Sequence, residues 1–159
     1  MTGESPVVAG TAEAVQAKKV EDLLKIRIVY NNIADDPRLV TDWGFGATIE
    51  YHDQIILFDT GTDGRILLQN MAVMGIDPAS VQAVVLSHIH NDHTGGLSDF
   101  LAVSSQPPVY LLSAFGANFI NEVRRSTAVI ETTPGQVIGD GILTTGAVSG
   151  NPSEQALIL

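Results

Sequence analysis

Cysteine is absent from the chain. Disulfides, thiolate zinc sites and cysteine nucleophiles are therefore excluded, and any metal centre must be built from His, Asp, Glu and water. Positive charge is scarce too: 8 Lys and Arg stand against 18 Asp and Glu, a formal net charge of −10. The basic residues cluster no further than the pairs Lys18-Lys19 and Arg124-Arg125, so nucleic acid is not expected as a bound partner. A small anionic substrate remains compatible with this balance, because a bound metal supplies positive charge that the side chains lack. Charged residues of both signs make up 16%, below the roughly 25% of ordinary soluble domains. No apolar run approaches the ~20 residues needed to span a bilayer, and no membrane association is expected. The apolar surplus is assigned instead to buried sheet, or to a face that expects a partner. Met1-Thr2-Gly3-Glu4-Ser5-Pro6 lacks the basic and apolar regions of a signal peptide, which makes the cytoplasm the expected location.

What is present fits one domain, since 159 residues support one core but not two comfortable ones. Residues 1–10 read as a flexible lead-in and 11–159 as the domain. Thr11 is placed to cap a helix from Ala12 to Leu24, rich in Ala, Glu, Lys and Leu. Lys25 to Tyr30 alternates with β-branched residues and reads as a strand. A long polar connection from Asn31 to Trp43 follows, of the length that often carries function. Gly44–Tyr51 and Gln54–Phe58 read as a hairpin around the two-residue turn His52-Asp53. Ile55-Ile56-Leu57-Phe58 is apolar at every position, the pattern of a strand buried on both faces. After Asp59-Thr60-Gly61 the chain predicts a helix over Arg65–Met74 stopped by Gly75. A helical turn at Asp77-Pro78-Ala79-Ser80, a strand over Ala83–Leu86 and a short helix at Leu97, Phe100 and Leu101 come next. A strand at Val109–Leu112 and a helix at Ala114–Val123 precede short glycine-punctuated strands at 128–130, 136–138 and 142–145. Asn151-Pro152-Ser153 is read as a turn, and Glu154–Leu159 as the start of a further strand. Hairpins followed by strand–helix alternation predict an α/β layered fold with a mixed sheet and helices on its outer face.

Three of the four histidines lie within the stretch Leu86-Ser87-His88-Ile89-His90-Asn91-Asp92-His93-Thr94-Gly95-Gly96-Leu97. On extended backbone, residues two apart point the same way, so His88 and His90 can converge on one metal, with zinc–nitrogen distances of about 2.0–2.1 Å. Asp92 and His93 need a turned backbone, which Asn91, Gly95 and Gly96 favour, and serve a neighbouring position. Two metals about 3.5–4 Å apart can share one hydroxide, a nucleophile near neutral pH. A helical metalloprotease motif is excluded, since it needs His at i and i+4 with Glu between them. Ser87 lacks the Gly-x-Ser-x-Gly setting of a serine hydrolase, and no glycine-rich nucleotide-binding loop is present. His52, the remaining histidine, reads as an exposed turn residue.

His88-Ile89-His90-Asn91-Asp92-His93 resembles the HxHxDH signature of the metallo-β-lactamase superfamily, and Leu57-Phe58-Asp59-Thr60-Gly61 looks like its earlier Asp-x-Gly motif. The wider pattern is similar to the subgroup of metal-dependent hydrolases that includes the archaeal 7,8-dihydropterin-6-methyl aminobenzene phosphate synthase. It is carried by Val29-Tyr30-Asn31-Asn32, Asp42-Trp43-Gly44-Phe45-Gly46, Ile56 to Gly61, Leu86 to Leu97, Thr144-Thr145-Gly146 and Glu154-Gln155-Ala156-Leu157. These segments keep the family order from Lys25 onward.

The resemblance implies an αββα sandwich with two divalent metals, zinc foremost, with manganese or iron also acceptable to such ligands. It implies that His88 and His90 hold the first metal and Asp92 and His93 the second. Asp92 would be the catalytic carboxylate of the set, and Asp59 would orient the ligand loop from behind. On the residues alone Asp59 reads equally as an Asp that closes a turn or caps the Arg65 helix. The family takes further ligands from its C-terminal half, so the chain is expected to represent about one αβ half of the sandwich and the start of the second. Weak or partial metal occupancy is then expected, together with a homo-oligomer or a complementary C-terminal chain covering the apolar face. Two functions remain open: a hydrolase whose metal-bound hydroxide attacks an ester or phosphoester-type small molecule, and a catalytically incompetent domain acting as a metal binder or assembly partner.

Overall fold

The computed structural model describes residues 24–159. The expected lead-in over 1–10 and the helix expected from Ala12 therefore lie outside the described residues, except Leu24, which precedes the first strand without regular structure.

Among the described residues six strands form one mixed sheet in sequence order: β1 (Lys25–Tyr30), β2 (Gly46–Tyr51), β3 (Gln54–Phe58), β4 (Ala83–Val85), β5 (Val109–Leu111) and β6 (Val129–Glu131). β1 to β3 pair antiparallel, and β3 to β6 pair parallel. The β2–β3 turn is the expected two-residue one, with His52 and Asp53 both left-handed at φ 47° and 60°, the geometry that suits the right-handed twist of paired strands. β2 begins two residues later than the apolar pattern predicts. Phe45 has left the sheet to donate its N–H to the Asp92 carbonyl at 3.1 Å, so the strand's start is given up to hold the ligand loop.

Among the described residues four helices accompany the sheet: α1 (Gly64–Val73), α2 (Asn91–Thr94), α3 (Leu97–Val103) and α4 (Gly116–Val123). Asp63 caps α1 by accepting from the Arg65 N–H at 2.8 Å, and Gly75 follows its end at φ 68°. The helix expected from Ala114 starts later, because Ser113–Phe115 forms a 3-10 turn and Gly116 at φ 78° breaks the path into α4. Asn70, buried on α1, accepts from Val40 N–H and donates to the carbonyls of Val29 and Val40. One amide thus fastens the long 31–43 connection to the helix layer.

Period-two alternation divides the core. Leu57, Val84, Val109 and Leu111 face the helices, packing with Leu67, Met71, Phe100, Leu101, Ile120 and Val123. Ile56, Ala83 and Val85 face the other way, onto Ile142. Ile56 and Leu57 are both buried, on opposite faces of β3, as the unbroken apolar run requires; each such side chain stabilises the fold by about 1.5–3 kcal/mol. The second face is covered by a three-stranded antiparallel sheet, β7 (Val137–Gly139), β8 (Ile142–Thr144) and β9 (Leu157–Ile158). The layers run helices, large sheet, small sheet, the α/β order expected. No helix among the described residues is long and apolar enough to cross a membrane.

Candidate metal centre

β3 and β4 are parallel neighbours with Phe58 opposite Val85, so the residues that follow each strand emerge side by side. Loops at the carboxyl ends of parallel strands are where open α/β sheets place their sites. Asp59 leaves β3 in the left-handed region at φ 58° and donates its N–H to the Val85 carbonyl at 2.9 Å. That turn drives its carboxylate sideways under the second loop. Oδ1 accepts from the Ser87 N–H at 2.7 Å, and Oδ2 meets Ser87 Oγ and His93 Nδ1, each at 2.7 Å. Asp59 is 1% exposed and has three partners from the ligand loop. The helix-capping alternative falls to Asp63 instead.

The ligand loop bends at Ile89, His90 is extended, and α2 then winds one helical turn that carries Asp92 and His93. Ligand atoms of His88, Asp92 and His93 all lie within 4.8 Å of one another. The His88 and His93 rings have centroids 4.1 Å apart, and His93 Nε2 lies 3.5 Å from Asp92 Oδ2. His90 stands just outside this group, its ring edge-on to His88 at 4.8 Å between centroids. His52 lies in the β2–β3 turn, stacked on Tyr51 at 3.9 Å and 3.3 Å from Asp140.

The turn out of α2 does not depend on glycine flexibility. Gly95 is right-handed, at φ −63° and ψ −30°, a conformation any residue adopts. A Cβ at Gly95 would sit 2.2 Å from the Thr62 carbonyl oxygen, and one at Gly96 2.2 Å from that of Thr60. The two glycines let the ligand helix lie directly on the Asp59-Thr60-Gly61-Thr62 backbone. Thr60 completes the seam, its N–H and hydroxyl both donating to the His93 carbonyl at 2.8 and 3.0 Å.

Gln155 ties the small sheet to the same place. It is 3% exposed. Its N–H donates to the Ser87 carbonyl at 3.0 Å, and its amide nitrogen donates to the Leu86 carbonyl at 2.8 Å. Its amide oxygen accepts from the hydroxyls of Thr132 and Thr144 at 2.8 and 2.7 Å. Neighbouring Glu154 places its negative charge where it favours protonation of both His88 and His93.

The two clustered imidazoles differ electrically. Burial, reinforced by the positive potential of His93, pushes His88 below its ordinary pKa. Burial pulls His93 the same way, but the Asp59 hydrogen bond, with the charges of Asp59, Asp92 and Glu154, outweighs it and raises His93. Buried imidazole held neutral beside one held by a carboxylate suits a ligand pair. Two imidazoles and one carboxylate are also the number that catalytic zinc sites use, leaving one position for water. The donor set therefore fits a divalent metal. Asp59 and Ser87 were legible as neighbours of motifs, whereas Gln155, the Gly95-Gly96 seam and the Phe45 contact were not. Gln155 entered the sequence reading only as part of the Glu154-Gln155-Ala156-Leu157 segment, with no role attached to its side chain.

Comparison with known proteins agrees with this geometry. A stretch of 56 residues is 41% identical to the 7,8-dihydropterin-6-methyl-4-(beta-D-ribofuranosyl)-aminobenzene-5'-phosphate synthase of Methanocaldococcus jannaschii, covering 35% of this chain and 19% of that protein. Another match, 41% identical over 51 residues, is to ribonuclease Z of Mycobacterium marinum, covering 32% of this chain and 17% of that protein. The chain thus aligns with about a fifth of the length of these relatives. The metallo-beta-lactamase fold protein YhfI of Bacillus subtilis superposes with a TM-score of 0.64 at 18% identity, over 86% of this chain and 57% of that one, a likeness of fold. The family model described as the metallo-beta-lactamase superfamily matches residues 48–147, a span running from β2 past β8 and holding the whole ligand loop. The chain belongs to the metallo-beta-lactamase superfamily.

Proposed function

We propose that this chain supplies the metal-binding core of a hydrolase acting on an ester or phosphoester-type small molecule. The observation that carries this reading is the convergence of His88, Asp92 and His93 to within 4.8 Å, backed by the buried Asp59 carboxylate. A divalent metal bound there supplies Lewis acidity and an acidified water; zinc suits the set, and manganese or iron would also be accepted. Each side chain then has a separate task. His88 and His93 present neutral nitrogens. Asp92 contributes negative charge beside His93 and is the carboxylate of the set that would hold a proton of the attacking water. Asp59 keeps His93 turned toward the cluster. Ribonuclease Z and a phosphate synthase, by their names, both concern phosphate-bearing compounds, which favours a phosphate-containing substrate here.

The test is hydrolysis of bis-p-nitrophenyl phosphate with zinc or manganese added. Turnover that rises with metal and disappears in His88→Ala is the expected result. A flat response at every metal concentration, with zinc still bound in calorimetry, would replace the hydrolase with a metal-binding or assembly role. Self-association belongs to the same proposal: Ile26 and Ile28 are 55% and 47% exposed on β1, the edge strand among the described residues, and such an edge invites a further strand. Light scattering that shows only monomer across concentrations would remove that part.

A further inference from the structure

Behind the metal cluster lies a hydrogen-bond branch in which Ser87 occupies the centre. We propose that Ser87 is a positioning residue, its hydroxyl locking His88 in the Nδ1–H tautomer so that Nε2 faces the metal position. This deepens the metal-site reading, on which its functional meaning rests, but its physical content is a property of the metal-free chain.

Ser87 Oγ lies 2.7 Å from Asp59 Oδ2, 3.0 Å from His88 Nδ1 and 3.4 Å from His93 Nδ1. A hydroxyl has a single proton and two lone pairs, and an ionised carboxylate only accepts. The short contact to Asp59 therefore uses the Ser87 proton. Oγ can then only accept from His88, which places a proton on His88 Nδ1. His93 Nδ1 lies closer to Asp59 Oδ2, at 2.7 Å, and donates there. Both histidines consequently carry their proton on Nδ1, one through Ser87 and one directly, and both keep a lone pair on Nε2. A histidine's free nitrogen is set by the bond its other nitrogen makes. Here one buried carboxylate sets two.

The location makes the lock firm. Asp59, Ser87 and His88 are each less than a tenth exposed, so water does not compete freely for these bonds. The Ser87 backbone is held as well, its N–H by Asp59 Oδ1 and its carbonyl by the Gln155 N–H. The hydroxyl is thus presented at a fixed point. A serine that served only to fill space would have no need to sit between two polar groups at hydrogen-bond distance from both.

The experiment is long-range proton–nitrogen NMR on histidine-labelled, metal-free chain, at a pH above the imidazole transitions, with zinc titration calorimetry run alongside. In the parent chain, His88 and His93 should both show pyrrole-type Nδ1 and pyridine-type Nε2 signals. Ser87→Ala should shift His88 toward the Nε2–H form, leave His93 unchanged and weaken zinc binding about 10- to 100-fold. Ser87→Thr, which keeps the hydroxyl, should restore both readouts. An Nε2–H signal for His88 in the parent chain would overturn the proposal without any variant being needed. So would a His88 that stays Nδ1–H in Ser87→Ala, whatever happens to zinc. If Ser87→Ala does not fold, the parent spectrum and Ser87→Thr decide. Failure of the parent chain to bind zinc at all would sink the metal reading while leaving the tautomer result standing.

Discussion

His52 and Asp140 meet at 3.3 Å beside the β2–β3 turn, and His93 and Asp59 meet at 2.7 Å beneath the ligand loop. Residue types are the same in both pairs, yet their surroundings are opposite. Asp140 is 77% exposed, whereas Asp59 is 1% exposed. Water screens the first pair, and side-chain entropy offsets most of its attraction. The second has been desolvated, and Asp59 recovers that cost only through the additional bonds from Ser87. An ion-pair distance alone would rank the two as cousins. The number of donors converging on the carboxylate separates them.

The largest expected effect that tests this contrast is Asp59→Ala. It strands the Ser87 N–H, the Ser87 hydroxyl and His93 Nδ1 in a buried place, and removal of one partner from such a set costs about 3–5 kcal/mol. Urea unfolding of the metal-free chain measures it. A loss under about 1 kcal/mol would place the buried pair with the surface one and dissolve the comparison.

A smaller effect concerns pH. His93 is raised above 6.5 by its carboxylate partners, so its contribution is full below 6.5 and fades as pH climbs through the raised value. His88 is lowered below 6.5, chiefly by burial, so its contribution is full above 6.5 and fades as pH falls through the lowered value. The two windows flank 6.5, so in the parent chain stability should fall away on both sides of it. Asp59→Asn should remove the fall on the alkaline side of 6.5 and leave the rise with pH on the acid side. Urea midpoints measured on both sides of 6.5 check it, and an unchanged fall above 6.5 would mean that Asp59 does not govern His93.

Asp140→Ala should do least. Its expected cost is within about 0.5 kcal/mol, with zinc binding by calorimetry unaltered. A larger loss would show that the hairpin pair is structural after all.

Much of this was legible in advance for definite reasons. Ile55 to Phe58 announced a strand buried on both faces because nothing polar interrupts it, and His52-Asp53 announced its turn because short polar residues tolerate left-handed backbone. The ligands declared themselves by density, three histidines and an aspartate in six positions. Spacing was less informative about how they group. Extended-strand logic pairs His88 with His90, while the one-turn helix α2 swings Asp92 and His93 back toward His88 and leaves His90 at the edge. What stayed hidden depends on partners far along the chain. Gln155 meets Leu86 across 69 positions and Asp59 meets Ser87 across 28; no local pattern encodes such encounters. Gly95 and Gly96 were visible, but their reason was not, since close backbone approach is a property of two loops.

Gln155 has a dynamic consequence. Its side chain spans four segments, reaching the Leu86 carbonyl and the hydroxyls of Thr132 and Thr144 from the loop before β9. Detaching the small sheet would therefore free the carbonyls of Leu86 and Ser87, directly behind the first histidine. The small sheet and the ligand loop are therefore expected to open as one cooperative unit, and an ion held by the loop should slow the opening of both. Amides of β8 and β9, which touch no ligand, should exchange with deuterium more slowly when zinc is present, so that a distant strand reports the state of the metal.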